Sequence, residues 1–149
     1  MIYLGFCIVV LTTYIGYCFS KKLVKRKTFL NDFYNFNQKI KREVGFSKKP
    51  ILSILEEENT DFSGLLKDAI LTDKEERPNY LIKDDYDLFI NYKNFLGTSD
   101  SKSQINYFNT INESIKKLLE TAKANEEKLK PLYLKLGFFV GLTILIILI

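Results

Sequence analysis

No charged residue occurs from Met1 to Ser20, and none from Leu136 to Ile149. These two apolar runs limit the fold more than any other feature, because each must be covered by protein or by lipid. An α-helix rises ~1.5 Å per residue, so about 20 apolar residues cross a ~30 Å hydrocarbon core. The first run meets that length directly. The second holds fourteen residues and reaches it with Leu132, Tyr133 and Leu134, provided that Lys135 snorkels toward the interface. The expected organisation is a transmembrane helix over residues 1–20, a helical domain over 21–131 and a second transmembrane helix over 132–149.

The 115 residues between the charge-free runs suffice for one modest core and not for two. Their charge is unevenly spread. Residues 21–49 carry ten Lys/Arg against Asp32 and Glu43, whereas residues 56–100 carry twelve acids against five bases. The basic block starts where the first apolar run ends, with Lys21, Lys22, Lys25, Arg26 and Lys27. By the positive-inside rule that flank stays in the cytoplasm. Lys128, Lys130 and Lys135 flank the second run on its domain side and agree, so both termini are expected on the non-cytosolic side of a cell membrane.

A cleaved signal peptide competes for residues 1–20, but the positive n-region is missing and the charge lies on the wrong side. A lipoprotein signal also fails, since Tyr17 precedes Cys18 where a small residue is wanted. Cys7 and Cys18 are the only cysteines. Eleven residues apart on one helix, about 16 Å along its axis, they cannot bridge each other. They read as small apolar residues in lipid, with a bridge between parallel copies as the alternative.

From Leu23 onward the pattern is helical. Phe29, Phe33, Phe36, Ile40 and Val44 recur at spacings of three and four, with Lys39, Lys41 and Arg42 on the outer side. The first span is expected to continue into this helix, which Gly45 stops. Pro50 leads a short helix of Ile51, Leu52, Ile54 and Leu55 that ends in Glu56, Glu57 and Glu58. A further short helix carries Phe62, Leu65, Leu66 and Ile70, and Thr72 to Asn79 reads as a loop. Residues 82–96 form a stronger helix, stopped by Gly97. Ser101 and Gln104 fit a capping box that opens a long final helix. Its seam of Ile105, Phe108, Ile111, Ile115, Leu118, Leu119 and Ala122 lapses at Asn125 and Glu126, where the helix is expected to leave the bundle. Pro131 is expected to bend it before the second span. No stretch alternates with period two. The fold class is all-α: a cytosolic antiparallel bundle of about five helices flanked by transmembrane helices.

The chain has no histidine and no tryptophan. Nucleophile–histidine pairs, His/Cys zinc sites and CxxC redox motifs therefore lack their residues. Neither GxxxxGK[ST] nor GxGxxG occurs, so glycine-cradled nucleotide binding has no support. The reading is a protein that is not an enzyme, with no cofactor, no metal and no small-molecule substrate. Glu56, Glu57, Glu58, Asp84, Asp85 and Asp87 form either a solvated acidic face or a docking surface for a basic partner. The basic block reads as an orientation signal in contact with anionic lipid headgroups. Nucleic-acid binding is the weaker alternative, because Phe29, Phe33 and Phe36 keep core spacing. Gly137 and Gly141 form a GxxxG, which lets two membrane helices approach closely, against the first span or against a second copy of the chain.

Leu96, Gly97, Thr98, Ser99, Asp100 and Gln104, with the ending Tyr133, Leu136, Gly137, Gly141 and an aliphatic tail, resemble the stage III sporulation protein AB family. The likeness takes in the N-terminal span, the basic first helix, its Glu43, Val44, Gly45, Phe46 end, the Pro-led short helix and the C-terminal span. The chain departs from the family pattern at the Pro50 segment, which lacks a second Pro and a following Glu, and at Pro131. The resemblance carries over no catalytic residue.

The resemblance implies a part of the channel-like complex that endospore-forming bacteria assemble between mother cell and forespore, with this chain in the outer forespore membrane. The family's cytosolic domain is similar to the inner-membrane platform domain of type II secretion. By that analogy it would dock a secretion-type ATPase, the stage III sporulation protein AA, and couple it to the other membrane components. Gly97, Ser99, Asp100 and Gln104 would fix the turn between two bundle helices. The rival reading is a generic membrane-anchored scaffold or regulator that works through lipid binding of its basic first helix.

Overall fold

The computed structural model describes residues 2–46, 51–72, 76–96 and 101–148. Five helices account for nearly all of them: α1 (Ile2–Phe46), α2 (Ile51–Glu56), α3 (Asp61–Thr72), α4 (Lys83–Phe95) and α5 (Ser101–Leu148). The fold is all-α, and no strand occurs among the described residues. The first and last helices are each long enough to serve two compact units. One unit holds residues 1–27 and 122–149, the other residues 28–121. Residues 21–27 and 122–131, expected in the helical domain, thus fall in the two-helix unit.

In the unit of residues 28–121, the three-and-four spacing on α1 becomes a buried stripe: Phe29, Phe33, Phe36 and Ile40 are fully inaccessible. Phe62 on α3 is the centre they pack around. Its ring stacks on Phe33 at 4.6 Å and meets Phe36 at 5.2 Å, Phe29 at 5.4 Å and Phe89 of α4 at 5.9 Å. Offset and edge-on pairs of this kind each add ~0.5–1.5 kcal/mol beyond the area they bury. The α5 seam is buried at Phe108, Ile111, Ile115 and Leu119. On α3 the inner face is Phe62, Leu66 and Ala69, while Ile70 is exposed. The expected Ile70 position is therefore taken by Ala69.

Local chemistry sets the helix ends. Thr60 opens α3 by a reciprocal pair: its hydroxyl accepts from Ser63 N–H at 3.1 Å, and Ser63 Oγ accepts from Thr60 N–H at 3.0 Å. Both satisfy donors that a helix start leaves orphaned. At the other end of the loop, Leu81 N–H bonds to Pro78 O at 3.0 Å and Ile82 takes an extended conformation before α4. The α4 helix ends where Leu96 turns extended, its N–H still bonded to Tyr92 O at 3.1 Å. The stop thus falls one residue before Gly97, which with Ser99 and Asp100 lies outside the described residues. The Gln104 side chain lies outside them too. Gly45 does not end α1 as expected; the helix runs on to Phe46.

A buried amide ties α1 to α5 within this unit. Asn37 donates to Phe108 O at 3.1 Å and to Asn112 Oδ1 at 3.3 Å, and Gln38 donates to the same oxygen at 2.8 Å. Moving either helix by one residue would strand these groups, and an unsatisfied buried polar group costs ~1–3 kcal/mol. The sequence reading gave Asn37 no role, although it stands at the edge of the Phe stripe, where a polar residue needs a partner.

Candidate functional site: the membrane hairpin and the charged surfaces

In the two-helix unit α1 and α5 run antiparallel, and their contact is made of small residues. A Cβ added to Gly137 would fall 2.7 Å from Thr12 O, 3.3 Å from Thr13 Cα and 3.4 Å from Gly16 Cα. One added to Gly141 would meet Val9 Cα at 2.7 Å and the Thr12 hydroxyl, and one on Gly16 would lie 2.5 Å from Tyr133 O. Gly5 stands equally close to the Leu145 side chain. The GxxxG of α5 thus faces the first span of its own chain. Gly5 and Gly16 were missed as its counterparts because their eleven-residue separation is not a GxxxG. Read at helical periodicity, Gly5, Val9, Thr12 and Gly16 are four positions on one face, and that signal was present.

The threonines of the hairpin turn their hydroxyls to their own helix backbone. Thr12 donates to Val9 O at 3.0 Å and Thr13 to Val9 O at 2.8 Å, while Thr143 donates to Phe139 O at 2.9 Å. Hydroxyls turned back on their own helix are satisfied without water. The outer faces are apolar and open: Phe6, Leu11, Phe139 and Ile147 are each at least 60% exposed. Cys7 and Cys18 are free and exposed among them. A soluble protein would not leave a contiguous apolar surface of this kind to water. Both helices are long and apolar enough to cross a membrane, and only 17% and 6% of their most apolar stretches are buried within the protein, far less than for soluble core helices. Helix α5 passes through Pro131 without interruption. A proline there has no N–H to give the carbonyl of Glu127, so one rung of the helix is lost just outside the second span.

The basic block does not act as one surface. Lys21 and Lys22 are exposed, with their ammonium groups over the rings of Tyr17 at 5.0 Å and Phe19 at 5.6 Å. Lys25 is exposed as well. Arg26, expected to face lipid, is buried at 5% exposure, and Lys27 is half-buried against Glu126 at 2.7 Å. The physical reason is that α1 continues unbroken past Ser20, so positions 26 and 27 already lie where α5 packs alongside. Glu126, expected to mark a lapse in the seam, carries an ion pair instead, with Lys130 on its other oxygen at 3.7 Å.

The acidic residues divide in the same way. Glu57 and Glu58 turn to Lys39 of α1, at 3.3 and 3.2 Å. Burial by itself lowers the Lys39 pKa, but the hydrogen bonds that its ammonium donates to these carboxylates, with their charge, outweigh it and hold the ammonium above its ordinary value. Asp85 is not part of an acidic surface. It is fully buried, and its carboxylate accepts from Ile82 N–H at 3.3 Å, closing the first turn of α4 where the helix dipole also favours negative charge. Glu56, Asp84 and Asp87 remain exposed. Among the described residues no group of three or more His, Cys, Asp or Glu side chains could hold a metal ion.

Two antiparallel helices of membrane-spanning length, joined along a glycine seam and separated in sequence by an all-α unit, are consistent with a helical membrane protein. Residues 52–149 match the family model described as stage III sporulation protein AB. The chain belongs to that family, which implies a role in stage III sporulation. The matched region includes the glycines of α5 and the acidic residues, and it begins after the basic block. No curated protein and no solved structure matches the chain.

Proposed function

We propose that the protein is a non-enzymatic platform in the membrane complex formed between mother cell and forespore, coupling a secretion-type ATPase to the membrane part of that complex. The observation that carries this reading is the hairpin. Its two long helices leave the two-helix unit without a break and supply the first and last helices of the 28–121 unit. A domain entered and left through the same two helices that form the hairpin is suited to link a cytosolic motor to the bilayer. The helical unit faces the mother-cell cytosol, with both termini on the far side, a reading that the lysines at the polar end of the hairpin support. Glu56, Asp84 and Asp87 supply the negative surface for the ATPase, the stage III sporulation protein AA. A scaffold that works through its whole basic block has less support, since Arg26 is buried and Lys27 is engaged by Glu126.

Two measurements test the reading. In a chain with Cys7 and Cys18 replaced by Ala, a single Asn109→Cys should resist a membrane-impermeant maleimide in intact protoplasts and react after lysis. Labelling in intact cells would reverse the topology. The ATPase should co-purify with the wild-type chain and be lost from Glu56→Lys/Asp84→Lys/Asp87→Lys; undiminished recovery would remove the acidic docking surface.

A further inference from the structure

At the polar end of the hairpin a hollow of about 340 Å³ is lined by Tyr17, Ser20, Lys21, Val24 and Lys25 of α1 and by Lys130 of α5. Its position along the chain is specific. Ser20 is the last residue of the charge-free run and Lys21 the first charge after it, so the hollow straddles the boundary between hydrocarbon and headgroups. Three lysines from two helices line it beside Tyr17, Ser20 and Val24, and most of its wall is apolar. We propose that this hollow is a seat for one anionic phospholipid, whose phosphodiester is held among Lys21, Lys25 and Lys130 while its glycerol and first methylenes lie against Tyr17 and Val24.

The chemistry favours a lipid over a soluble anion. A free phosphate gains from the lysines alone, whereas a phospholipid's acyl chains hold its headgroup at the depth of the hollow and its first methylenes match the apolar wall. Basic hollows between membrane helices on the cytoplasmic side are suited to anionic headgroups for this reason. Lys130 holds Glu126 only at 3.7 Å, because that carboxylate is already claimed by Lys27 at 2.7 Å. Lys25 has an interaction of its own, and Lys21 lies over Tyr17. A phosphate therefore joins a network already held in place. Because Lys130 comes from the second helix, the seat exists only when the hairpin is closed, which makes it different from general attraction of a basic segment to a charged surface. The proposal rests on the hairpin lying in a bilayer and not on the platform role.

The test is native mass spectrometry of the full chain released from detergent with phosphatidylglycerol, phosphatidylcholine or glycerol phosphate. One phosphatidylglycerol should be retained at least tenfold better than phosphatidylcholine, and glycerol phosphate should not compete. Lys21→Gln/Lys25→Gln/Lys130→Gln should lose that preference, as should Lys130→Gln in larger part than Lys128→Gln. The control Lys116→Gln/Lys117→Gln/Lys123→Gln removes the same charge elsewhere and should keep it, and Lys→Arg at the three positions should restore it. Equal retention of the two lipids, an equal loss in the control, or displacement by glycerol phosphate would each overturn the proposal. Far-ultraviolet circular dichroism of each variant confirms that the helices are intact. A failed ATPase co-purification would leave this result untouched.

Discussion

Gly137 is a position where the hairpin tolerates little. A methyl group there must lie 2.7 Å from the Thr12 carbonyl oxygen, and the next atoms it meets are Thr13 Cα at 3.3 Å and Gly16 Cα at 3.4 Å. All three belong to backbone, so no side chain can swing aside, and α1 and α5 must part by roughly 0.6 Å to restore an ordinary carbon–oxygen contact. A gap of that size forfeits about a quarter to a half of each pair's ~0.1–0.2 kcal/mol well, so with on the order of 20 pairs along the seam the loss is about 1 kcal/mol for Gly137→Ala. Gly137→Leu, whose branched chain must fit the same space, should reach the ~1–3 kcal/mol range of overpacked sites. The measurement is reversible unfolding of the full chain in mixed micelles. A proximity readout accompanies it, thiol cross-linking between Phe19→Cys and Tyr133→Cys in a chain otherwise free of cysteine. Those two rings lie 5.9 Å apart at the polar end of the seam. Cross-linking should slow several-fold in Gly137→Leu. A Gly137→Leu chain that unfolds and cross-links like the wild type would refute the claim that backbone proximity holds the two spans together.

Gly64 is the internal contrast: a Cβ there meets nothing within 4 Å, so Gly64→Ala should stabilise the helical unit by ~0.8–1.0 kcal/mol, the helix propensity difference, read as a higher denaturation midpoint. Phe62→Ala removes the centre of the aromatic core and should cost ~3–5 kcal/mol by denaturant titration. The Asp32 carboxyl is held above its ordinary value by burial first and then by Asp61 and Glu58, so its charged form opposes folding. Asp32→Asn should raise the midpoint at pH 7 by a few tenths of a kcal/mol, discounted for solvent screening, and the gain should vanish at low pH where the wild-type group is protonated. Burial and then Tyr107 push the Tyr92 hydroxyl well above its ordinary value of 10.0, so the folded chain keeps a proton that the unfolded chain releases. Its contribution is complete below about pH 10 and declines above, with a slope of up to ~1.36 kcal/mol per pH unit. Tyr92→Phe should flatten that alkaline decline and, since the buried hydroxyl has no hydrogen-bond partner among the described residues, stabilise by about 1 kcal/mol at neutral pH.

The helices were legible because their signals are local and repeated. The Phe29, Phe33, Phe36 and Ile40 spacing, the Glu-rich end of α2 and the apolar ends of the chain each state a face or a boundary several times over. What could not be read was which charged residue turns inward. Asp85 sits between Asp84 and Asp87 and differs from them only by standing three residues after Ile82, whose N–H it accepts. Arg26 sits between Lys25 and Lys27, and its burial follows from the proximity of α5, an element some hundred residues away in the chain. Composition treats each such trio as one patch, whereas the fold uses each member differently. The acidic surface was thereby overcounted by Asp85 and in part by Glu57 and Glu58, and the lipid-facing block by Arg26 and Lys27.

The seam between the spans shows how a hairpin is specified where water gives no help. Lipid is as apolar as the side chains, so burying leucine between two helices gains little over leaving it in the bilayer. The threonines do not tie the helices together either, because Thr12 and Thr13 spend their hydroxyls on Val9 O of their own helix. Close packing over Gly5, Gly16, Gly137 and Gly141 remains, and it works only at one register, since sliding by one residue would set side chains against backbone. Dispersion at such short range fixes alignment well but adds little strength per residue. The stronger, directional contact, Glu126 held by Lys27 and Lys130, lies outside the hydrocarbon stretch, where charge is not penalised by lipid. Alignment inside the bilayer and an ionic clasp at its edge are thus carried by different residue types, each placed where its own physics is effective.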